Sequence, residues 1–381
     1  MPRSLPLTAA EGQRYSRHLV LPEVGTEGQR RLKGSSVLIV GMGGLGIPAA
    51  VYLASAGVGK LGLVDHDVVE MPNLQRQFLF NETDIGRKKV EVAAERLRRT
   101  NPNIEVVTHI IKLDSGNALE VIRDYEIVVD ATDNLPSRYL INDACAMLGK
   151  PDVYASVLGF DGQASVFWAQ QGPCYRCLFP EPPPPESVRS CEDAGVLGVL
   201  PGIMGGLQAT QAIQLLLGKG SPLVGRLMFF NGLDTSFDEV RIKKNGDCLV
   251  CGPNPTVTRL IDYEEFCGLK RQGTQTEFDV TPLELKTLID QGKQILLLDV
   301  REPFENELVC LEGSTLIPLR ELPSRIKELE RDAELVVYCH VGVRSTEAVG
   351  LLRSAGFSKA RNLKGGIDAW ATQVDPKLRR Y

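Results

Sequence analysis

Short apolar runs alternate with longer amphipathic segments along the first two thirds of the chain, which is the pattern of an α/β protein. Apolar runs at Val37–Val40, Leu61–Asp65 and Ile127–Asp130 predict buried strands. Between the second and third runs, Lys88–Arg99 carries apolar residues at helical spacing, which predicts a helix. The alternation continues to about Gly252 and predicts a Rossmann-like parallel sheet covered by helices.

A change of pattern beyond that point divides the chain. Residues 254–273 lose hydrophobic periodicity and predict a linker between a first domain, 1–253, and a second domain, 274–381. The second domain repeats the α/β pattern on a smaller scale, with predicted strands at Ile295–Val300 and Leu335–Tyr338. The chain is therefore expected to contain two α/β domains of unequal size.

The composition is typical of a soluble globular protein, since 43% of the 381 residues are hydrophobic and 24% are charged. The formal net charge of −5 argues against nucleic-acid binding, which favours a basic surface. The first residues contain no apolar stretch long enough for a signal peptide, and the best apolar candidate, Ile203–Leu217, is interrupted by three glutamines. No membrane association is expected, and the cytoplasm is the expected location.

Two residue counts constrain the chemistry. Nine cysteines without a secretion signal predict a reducing compartment, where cysteines serve in metal binding or catalysis rather than in disulfides. The four histidines are widely scattered, so catalysis that depends on a histidine base is not expected.

A glycine-rich turn joins the first predicted strand to an alanine-rich apolar segment. Its glycines, Gly41, Gly43, Gly44 and Gly46, have the spacing of a loop whose backbone closes on phosphate at a helix amino terminus. Asp65 ends the second strand at the spacing of a ribose ligand, and its alternative role is a solvated carboxylate. The glycine spacing alone is also typical of NAD and FAD sites.

A polar and cationic cluster beyond Asp65 favours ATP over a redox dinucleotide. Asn73, Arg76 and Gln77 follow that acid, and Lys89 lies at the start of the predicted helix. A lysine at a helix start is often only a surface residue. The neighbouring polar groups favour a role for Lys89 in neutralising phosphate charge. A site that attacks the phosphates of ATP needs such groups to neutralise charge. The cluster predicts attack by a carboxylate on the α-phosphate, with release of pyrophosphate.

The third predicted strand ends in the polar segment 130–134. Because ligands of open α/β sheets bind beyond the carboxyl ends of the strands, this segment belongs to the same crevice as the glycine loop. Asp133 is predicted to hold Mg²⁺, which binds one or two carboxylates together with phosphate oxygens. In the alternative, Asp133 caps the helix that Pro136 opens, a role that Asn134 can fill instead.

Two C-x₂-C pairs, Cys174/Cys177 and Cys248/Cys251, lie far apart in the sequence. Four thiolates on two such pairs form a closed structural zinc site. The alternative is a redox-active pair, which requires a helix start after a strand. The residues around the second pair, Asn-Gly-Asp before it and Gly-Pro after it, are typical of a loop, so zinc is predicted.

Together these motifs resemble the adenylation domain of the MoeB, ThiF and ubiquitin-activating enzyme family, over about the first two thirds of the chain. The resemblance implies that Asp65 and Asn73 contact the nucleoside, that Arg76 and Lys89 contact the phosphates, and that Asp133 binds the metal. It also implies a zinc site at the two cysteine pairs. The residues expected at the ATP site are Gly41, Gly43, Gly44, Gly46, Asp65, Asn73, Arg76, Gln77, Lys89, Asp133 and Asn134.

The same resemblance assigns roles to two further residues. The family is dimeric, and Arg14-Tyr-Ser-Arg17 resembles the segment that sends an arginine into the partner's ATP site, so Arg17 is expected to act in trans. Cys191 follows the proline run Pro180–Pro185, which predicts an extended loop. It matches the cysteine that in several members attacks the activated carboxyl or resolves a sulfur intermediate. Its alternative role is that of a small buried hydrophobe.

The second domain carries a cysteine loop, Cys339-His-Val-Gly-Val-Arg344, between an apolar strand and a predicted helix. Backbone N–H groups and the positive helix end stabilise a thiolate or persulfide there, and a buried structural cysteine is the alternative. Four residues separate Cys339 from Arg344, one fewer than in related phosphatase loops, and the narrower loop suits sulfur. With Asp299–Pro303 and Gly365–Trp370, the loop resembles a single rhodanese domain. Cys310 is a departure, since many rhodaneses have a histidine there.

The domain order resembles that of MoeB–rhodanese fusions of the MoeZ type. This implies ATP-dependent adenylation of the C-terminal glycine of a ubiquitin-like sulfur carrier, with Mg²⁺ and Zn²⁺ as cofactors. Sulfur transfer from a Cys339 persulfide then yields a thiocarboxylate for molybdopterin synthesis. The sulfur donor is expected to be a cysteine desulfurase or thiosulfate. Three alternatives stay open: another pathway (thiamine, tRNA thiolation or cysteine synthesis), a non-catalytic carrier-binding scaffold, and an NAD-dependent oxidoreductase.

Overall fold

The computed structural model describes residues 5–184, 195–268 and 278–380. The chain divides into two compact units, here called unit 1 (described residues 5–183 and 195–268) and unit 2 (described residues 278–380). Cys191 lies outside the described residues. Among the described helices, none combines the length and apolar character that a membrane crossing requires.

Unit 1 is built on one eight-stranded sheet in the order β3-β2-β1-β4-β5-β6-β7-β8. The first five strands in that order pair in parallel, and β6, β7 and β8 continue the sheet antiparallel. The strands are β1 (Ser36–Val40), β2 (Lys60–Val64), β3 (Glu105–His109), β4 (Ile127–Asp130), β5 (Asp152–Leu158), β6 (Asp161–Phe167), β7 (Arg226–Asn231) and β8 (Ser236–Arg241). Because β1 has β2 on one side and β4 on the other, the strand order reverses at β1. This reversal opens the crevice in which ligands of such sheets bind.

Helices cover both faces of the sheet in unit 1. They are α1 (Ala9–Arg14), α2 (Ser16–Leu19), α3 (Gly25–Lys33), α4 (Gly46–Ala56), α5 (Lys89–Thr100), α6 (Ala118–Arg123), α7 (Leu135–Leu148), α8 (Tyr175–Leu178), α9 (Val199–Leu217) and α10 (Tyr263–Phe266). The predicted α5 is confirmed, and its apolar face is fully buried against the sheet. The strands are buried on both sides: Val37 and Ile39 pack in one core cluster, whereas Leu38 packs in the other.

The long apolar helix α9 carries polar residues into the core. Gln208 is fully buried and donates from Nε2 to the carbonyl oxygens of Asp130 and Val153, at 2.6 and 2.9 Å. Gln211 accepts a hydrogen bond from the backbone N–H of Leu223 at 2.7 Å. Gln208 therefore attaches α9 to the sheet, and Gln211 attaches it to the segment that follows the helix.

Residues 254–268, which belong to the segment predicted as a linker, lie within unit 1. The short helix α10 packs on α7, and the Tyr263 hydroxyl donates to the Asp143 carboxylate at 2.8 Å. Cys267 is buried beside it. A helix of one turn held by single anchoring side chains has no hydrophobic period, which is why the pattern resembled a linker.

Unit 2 contains a five-stranded parallel sheet in the order β11-β10-β12-β13-β9. Its strands are β9 (Asp279–Val280), β10 (Leu296–Asp299), β11 (Thr315–Leu316), β12 (Leu335–Tyr338) and β13 (Ala360–Leu363). Its helices are α11 (Pro282–Asp290), α12 (Pro303–Leu308), α13 (Leu322–Arg325), α14 (Val343–Ser354) and α15 (Gly366–Gln373). The two strands predicted here, β10 and β12, are confirmed. Because β12 is the central strand, the loop that follows it lies at the middle of the sheet edge.

Candidate active site

The glycine loop closes tightly between β1 and α4. Gly41 has φ of +95°, and a Cβ there would lie 2.7 Å from the carbonyl oxygen of Ala131. A Cβ on Gly46 would lie 1.8 Å from the carbonyl oxygen of Gly41. Glycine is therefore required at both positions, one for the left-handed backbone and one for close approach. The contact with Ala131 also brings the glycine loop against the end of β4.

Asp65 joins the glycine loop to the end of β2. Its Oδ2 accepts the backbone N–H of Met42 at 2.7 Å, inside the glycine loop. Its Oδ1 accepts the backbone N–H of Asp67 at 2.8 Å. Both hydrogen bonds fix the carboxylate at the rim of the crevice, where a ribose ligand of this fold belongs.

Lys89 is held at the start of α5 by an acid that the sequence argument did not single out. Its Nζ donates to Asp67 Oδ2 at 2.9 Å, and its side chain is 8% exposed whereas that of Asp67 is 52% exposed. The largely buried ammonium group of Lys89 thus contacts the solvent-exposed carboxylate of Asp67, and Asp67 lies two residues after Asp65. The acid–x–acid spacing of 65 and 67 was the available signal, but only the fold brings Lys89 to it.

The segment after β2 wraps onto the glycine loop. A 3₁₀ turn, Met71–Asn73, leads into backbone hydrogen bonds from the N–H groups of Arg76 and Gln77 to the Asn73 carbonyl oxygen. A Cβ on Gly44 would lie 3.4 Å from Arg76 Cγ, and one on Gly43 would lie 3.9 Å from Gln77 Nε2. The structure therefore brings the Arg76 and Gln77 side chains to the glycine loop, whereas Asn73 Oδ1 accepts the backbone N–H of Glu70 at 3.1 Å.

Gln77 has a buried and unsatisfied polar atom in this setting. The side chain is 3% exposed, and its Oε1 finds no hydrogen-bond partner among the described residues. An amide of this kind, directed at the glycine loop, is a polar group available to a ligand.

The polar tip after β4 combines a buried acid with an exposed one. Asp130 is buried and accepts hydrogen bonds from the Thr132 backbone N–H and hydroxyl, at 2.9 and 2.6 Å. Burial raises the pKa of Asp130. Asp133 is exposed, and the Asn134 side chain caps α7 by accepting the Ser137 N–H at 3.0 Å. Because Asn134 fills the capping role, the Asp133 carboxylate stays accessible to a cation.

Arg17 lies on α2 and is exposed. Among the described contacts it does not join the cluster around the glycine loop. The role of Arg17 in a second copy of the chain stays a prediction.

The four predicted zinc ligands lie together in one cluster. The Cys174 and Cys248 sulfurs are 3.5 Å apart, those of Cys177 and Cys251 are 3.4 Å apart, and all four lie within 4.8 Å of one another. Tetrahedral Zn–S bonds of about 2.3 Å separate the sulfurs by roughly 3.8 Å, so the cluster fits a zinc ion. Burial and the hydrogen bond with Cys177 raise the pKa of the Cys251 thiol to about 12.

A buried ion pair anchors the first cysteine pair to α7. Arg176, between Cys174 and Cys177, donates from Nε and Nη2 to the Asp143 carboxylate at 2.8–3.1 Å. The guanidinium also stacks on the Phe266 ring, 4.5 Å from its centroid. The cysteine cluster is therefore tied to the helix that begins at the nucleotide crevice.

In unit 2, the Cys339 side chain is fully buried at the end of β12. Its Sγ accepts the backbone N–H of Gly342 at 3.1 Å. The Ser345 hydroxyl lies 3.5 Å from Sγ, but it has one hydrogen and donates it to Asn362 Oδ1 at 2.7 Å. The backbone N–H at the amino end of α14 is thus the group that stabilises negative charge on sulfur.

The Gly365-Gly366 pair fits against the cysteine loop from the other side. A Cβ on Gly366 would lie 2.2 Å from the His340 carbonyl oxygen and 2.5 Å from that of Cys339. At the start of α15, the backbone N–H of Ile367 donates to the Cys339 carbonyl oxygen at 2.9 Å. The glycine pair therefore allows a helix amino terminus to bind the carbonyl groups of the cysteine loop.

Arg344 is engaged by a partner that the sequence argument missed. Its Nη1 and Nη2 donate to Glu305 Oε2 and Oε1 at 2.7 and 2.8 Å. Glu305 is buried on α12, between the Asp299–Pro303 motif and Cys310, which is exposed. Arg344 lies in a recognised motif, whereas Glu305 lies just beyond the Asp299–Pro303 motif, and the pairing across 39 positions had no local signal.

Comparison with known proteins identifies a family for each of the two domains. The model of the ThiF family matches residues 15–250, and that of the rhodanese-like domain matches residues 281–373. The chain is 42% identical to the probable adenylyltransferase/sulfurtransferase MoeZ of Mycobacterium tuberculosis (strain ATCC 25618 / H37Rv), over 98% of this chain and 96% of that protein. It is 43% identical to the adenylyltransferase and sulfurtransferase MOCS3 of Mus musculus, over 98% of this chain and 88% of that protein.

Among solved structures, E. coli MccB with ATP superposes with a TM-score of 0.57 at 23% identity, covering 64% of this chain and 75% of that one. At this identity the likeness concerns the fold alone. The family matches and the extended relatives give one conclusion: the chain belongs to the ThiF family and carries a rhodanese-like domain after its ThiF domain.

Proposed function

We propose that this protein adenylates the C-terminal glycine of a small ubiquitin-like sulfur carrier and then converts it to a thiocarboxylate. The observation that carries the proposal is the presence of two complementary sites in one chain, with relatives named adenylyltransferase/sulfurtransferase aligned along nearly its full length. The acyl-adenylate reacts with water, so a tethered sulfur donor raises the effective concentration of sulfur at that intermediate. Molybdopterin synthesis is the proposed pathway.

In the first half-reaction, the glycine loop binds the phosphates of ATP and Asp65 binds the ribose. Arg76 and Lys89 neutralise the phosphate charge, and Asn73 and Gln77 orient the nucleotide. The contacts of Asp65, Arg76 and Gln77 with the glycine loop support this assignment, as does the pairing of Lys89 with Asp67 just beyond Asp65. Asn134 is the remaining residue proposed for the ATP site.

Asp133 is the proposed Mg²⁺ ligand, since its carboxylate is exposed at the sheet edge while Asn134 caps α7. Bound Mg²⁺ neutralises the charge that develops on the phosphates. The carrier carboxylate attacks the α-phosphate, and pyrophosphate leaves with its electron pair. Positioning and charge neutralisation carry this step.

In the second half-reaction, the terminal sulfur of the Cys339 persulfide attacks the acyl carbon and expels AMP. The product is a mixed acyl disulfide between carrier and Cys339. We assign the next step to Cys191: its thiolate attacks Cys339 Sγ, which releases the thiocarboxylate and leaves a Cys191–Cys339 disulfide. A cellular dithiol then reduces that bond and restores both thiols. The Gly342 N–H that reaches Cys339 Sγ supports the thiolate form that this cycle needs.

The protein is proposed to act as a homodimer in which Arg17 completes the partner's nucleotide site. The exposed position of Arg17 on α2 supports this role. Mixed dimers of Arg17→Ala and Asp133→Ala protomers should regain part of the ATP–pyrophosphate exchange that each variant alone lacks. Mixed dimers as inactive as either parent would reject action in trans.

The cysteine cluster is proposed to hold a structural zinc ion. Four cysteine sulfurs within 4.8 Å of one another support a structural rather than a catalytic metal, because structural zinc sites have four protein ligands. Bound zinc joins the loop at Cys248 to the α8 segment and contributes folding energy there.

The decisive experiment measures the intact mass of a carrier ending in Gly-Gly after incubation with the enzyme, Mg-ATP, a sulfur donor and a mild reductant. Replacement of one oxygen by sulfur is the expected result, with thiosulfate and a small persulfide tested as donors. Cys339→Ala should retain ATP–pyrophosphate exchange and form no thiocarboxylate, whereas Asp133→Ala should lose both.

Carrier binding without exchange in the wild type would instead favour a non-catalytic scaffold. Thermal stabilisation by NADH but not by ATP would favour an oxidoreductase. If several carriers are tested, the one that is converted identifies the pathway, because the choice among molybdopterin, thiamine, tRNA thiolation and cysteine synthesis lies in the surface that docks the carrier.

A further inference from the structure

The cationic group of the cysteine loop is already neutralised inside the protein. Arg344 and Glu305 form a two-pronged ion pair, with both Nη atoms within 2.8 Å of carboxylate oxygens. The side chains are 21% and 6% exposed, so the pair is largely shielded from solvent. An ion pair in this setting has no net charge to offer an incoming anion, because the carboxylate offsets the guanidinium at close range.

The structure fixes Glu305 in place. On β10 and just after it, the buried Asp299 and Arg301 form an ion pair with Nη2 and Oδ2 2.6 Å apart. Arg301 Nη2 also donates to the Val309 carbonyl oxygen at 2.7 Å, and Asn306 donates to Asp299 at 3.0 Å. These contacts hold the carboxyl-terminal end of α12, so the Asp-x-Arg motif serves to position the helix that presents Glu305.

Glu305 is also anchored through its own helix. Its Oε2 accepts the backbone N–H of Glu302 at 2.9 Å, as the third-position residue of a capping box. A glutamine at 305 retains an oxygen for this bond, whereas its charge is gone. The substitution Glu305→Gln therefore separates the charge of this side chain from its capping role.

Two classes of sulfur donor differ in charge. Thiosulfate is a dianion: the Cys339 thiolate attacks its outer sulfur, the S–S bond breaks, and sulfite leaves with the electron pair. A persulfide donor, R–S–SH, carries at most one negative charge at its sulfur. The same attack leaves the persulfide on Cys339 and releases R–S⁻. An uncompensated cation next to the cysteine therefore favours the doubly charged thiosulfate more than the singly charged persulfide.

We propose that Glu305 is a specificity-determining residue that favours persulfide donors over thiosulfate in the loading of Cys339. The inference rests on the proposed sulfur transfer at Cys339 and names its donor class. With the arginine compensated, the main support for negative charge is the Gly342 N–H, which reaches the cysteine sulfur at 3.1 Å. That support suits one charge on the bound sulfur better than the two charges of thiosulfate.

The test measures single-turnover persulfidation of Cys339 by peptide mass in the full-length protein, with Cys339→Ser as background. The donors are thiosulfate and the persulfide of N-acetylcysteamine, a thiol without other charges. Glu305→Gln should lower the persulfide-to-thiosulfate ratio of rate constants about tenfold, since the charge of Arg344 is then uncompensated.

Glu334→Gln is the matched control. Glu334 also pairs with an arginine, Arg361, at 3.3 Å, but it precedes β12 whereas Cys339 follows that strand. The control removes the same charge at the opposite end of the sheet and should leave the ratio unchanged. Glu305→Asp keeps the charge and should stay within about threefold of the wild-type ratio.

The outcomes distinguish a failure of the proposed function from a failure of the donor inference. A wild type that takes sulfur from neither donor contradicts the proposed function itself. A wild type that prefers thiosulfate overturns the donor inference alone. So does a Glu305→Gln protein that slows with both donors equally, because Glu305 would then only order the loop. An equal shift in Glu305→Asp would assign the effect to shape rather than to charge, and would also overturn it.

Discussion

Removal of one partner of the buried pair Arg176–Asp143 should strongly destabilise unit 1. The two side chains are 1% and 0% exposed, and Asp143 accepts three contacts from the guanidinium and one from the Tyr263 hydroxyl. Asp143→Asn leaves the arginine as an uncompensated buried charge. Loss of one partner of such a pair costs about 3–5 kcal/mol of unfolding free energy. Glu95→Gln, which breaks the exposed pairs with Arg87 and Arg99, should change the stability far less, because solvent screens such pairs.

The two tryptophans of the chain make unit 1 separately observable, because Trp168 lies in unit 1 and Trp370 in unit 2. In a Trp370→Phe background with saturating zinc, urea unfolding followed by Trp168 fluorescence reports unit 1. The double variant Asp143→Asn/Arg176→Met should regain at least half of the loss, since no buried charge is left unpaired. A single-variant loss below about 1 kcal/mol, or a double variant no better than the single, would refute the reasoning.

Three further predictions concern pH, the cysteine loop and the metal. Burial, with a smaller effect from a neighbouring lysine, lowers the pKa of His109 from its usual value of 6.5, so the unfolded chain binds more protons and unit 1 loses stability as pH falls below that value. His109→Gln should flatten this pH dependence in urea unfolding. Gly366→Ala should block persulfidation of the cysteine loop but spare ATP–pyrophosphate exchange, because the new Cβ meets loop carbonyl oxygens at 2.2 and 2.5 Å. Gly350→Ala, on an open face of α14, should leave both unchanged or add about 0.5–1 kcal/mol of stability. A strong chelator or Cys251→Ser should lower the thermal midpoint of unit 1, and elemental analysis should find one zinc per chain in the wild type but less in the variant.

Local sequence patterns predicted several of the strands and helices and all of the motifs discussed above. The strands around β1, β4, β10 and β12 and the helix α5 lie where hydrophobic periodicity predicted them, within a residue or two at each end. The capping role of Asn134 was also open to prediction, because capping is a property of neighbouring residues. The segment 254–268 belongs to unit 1, although its sequence predicts a linker. Single side chains such as Tyr263 attach it to unit 1, so it has no hydrophobic periodicity.

The sequence alone determined which chemical groups are present and at what local spacing: the glycine loop, two cysteine pairs, and a cysteine followed by an arginine. The tertiary structure decided which of those groups are free to act and which are already engaged. It paired Lys89 with Asp67, 22 positions away, and Arg344 with Glu305, 39 positions away. Such pairings arise where separate strands end at one sheet edge. A local sequence pattern does not show which distant residues meet there. The order of residues thus set the possible reactions, while the meeting of distant side chains set the charge that each site presents.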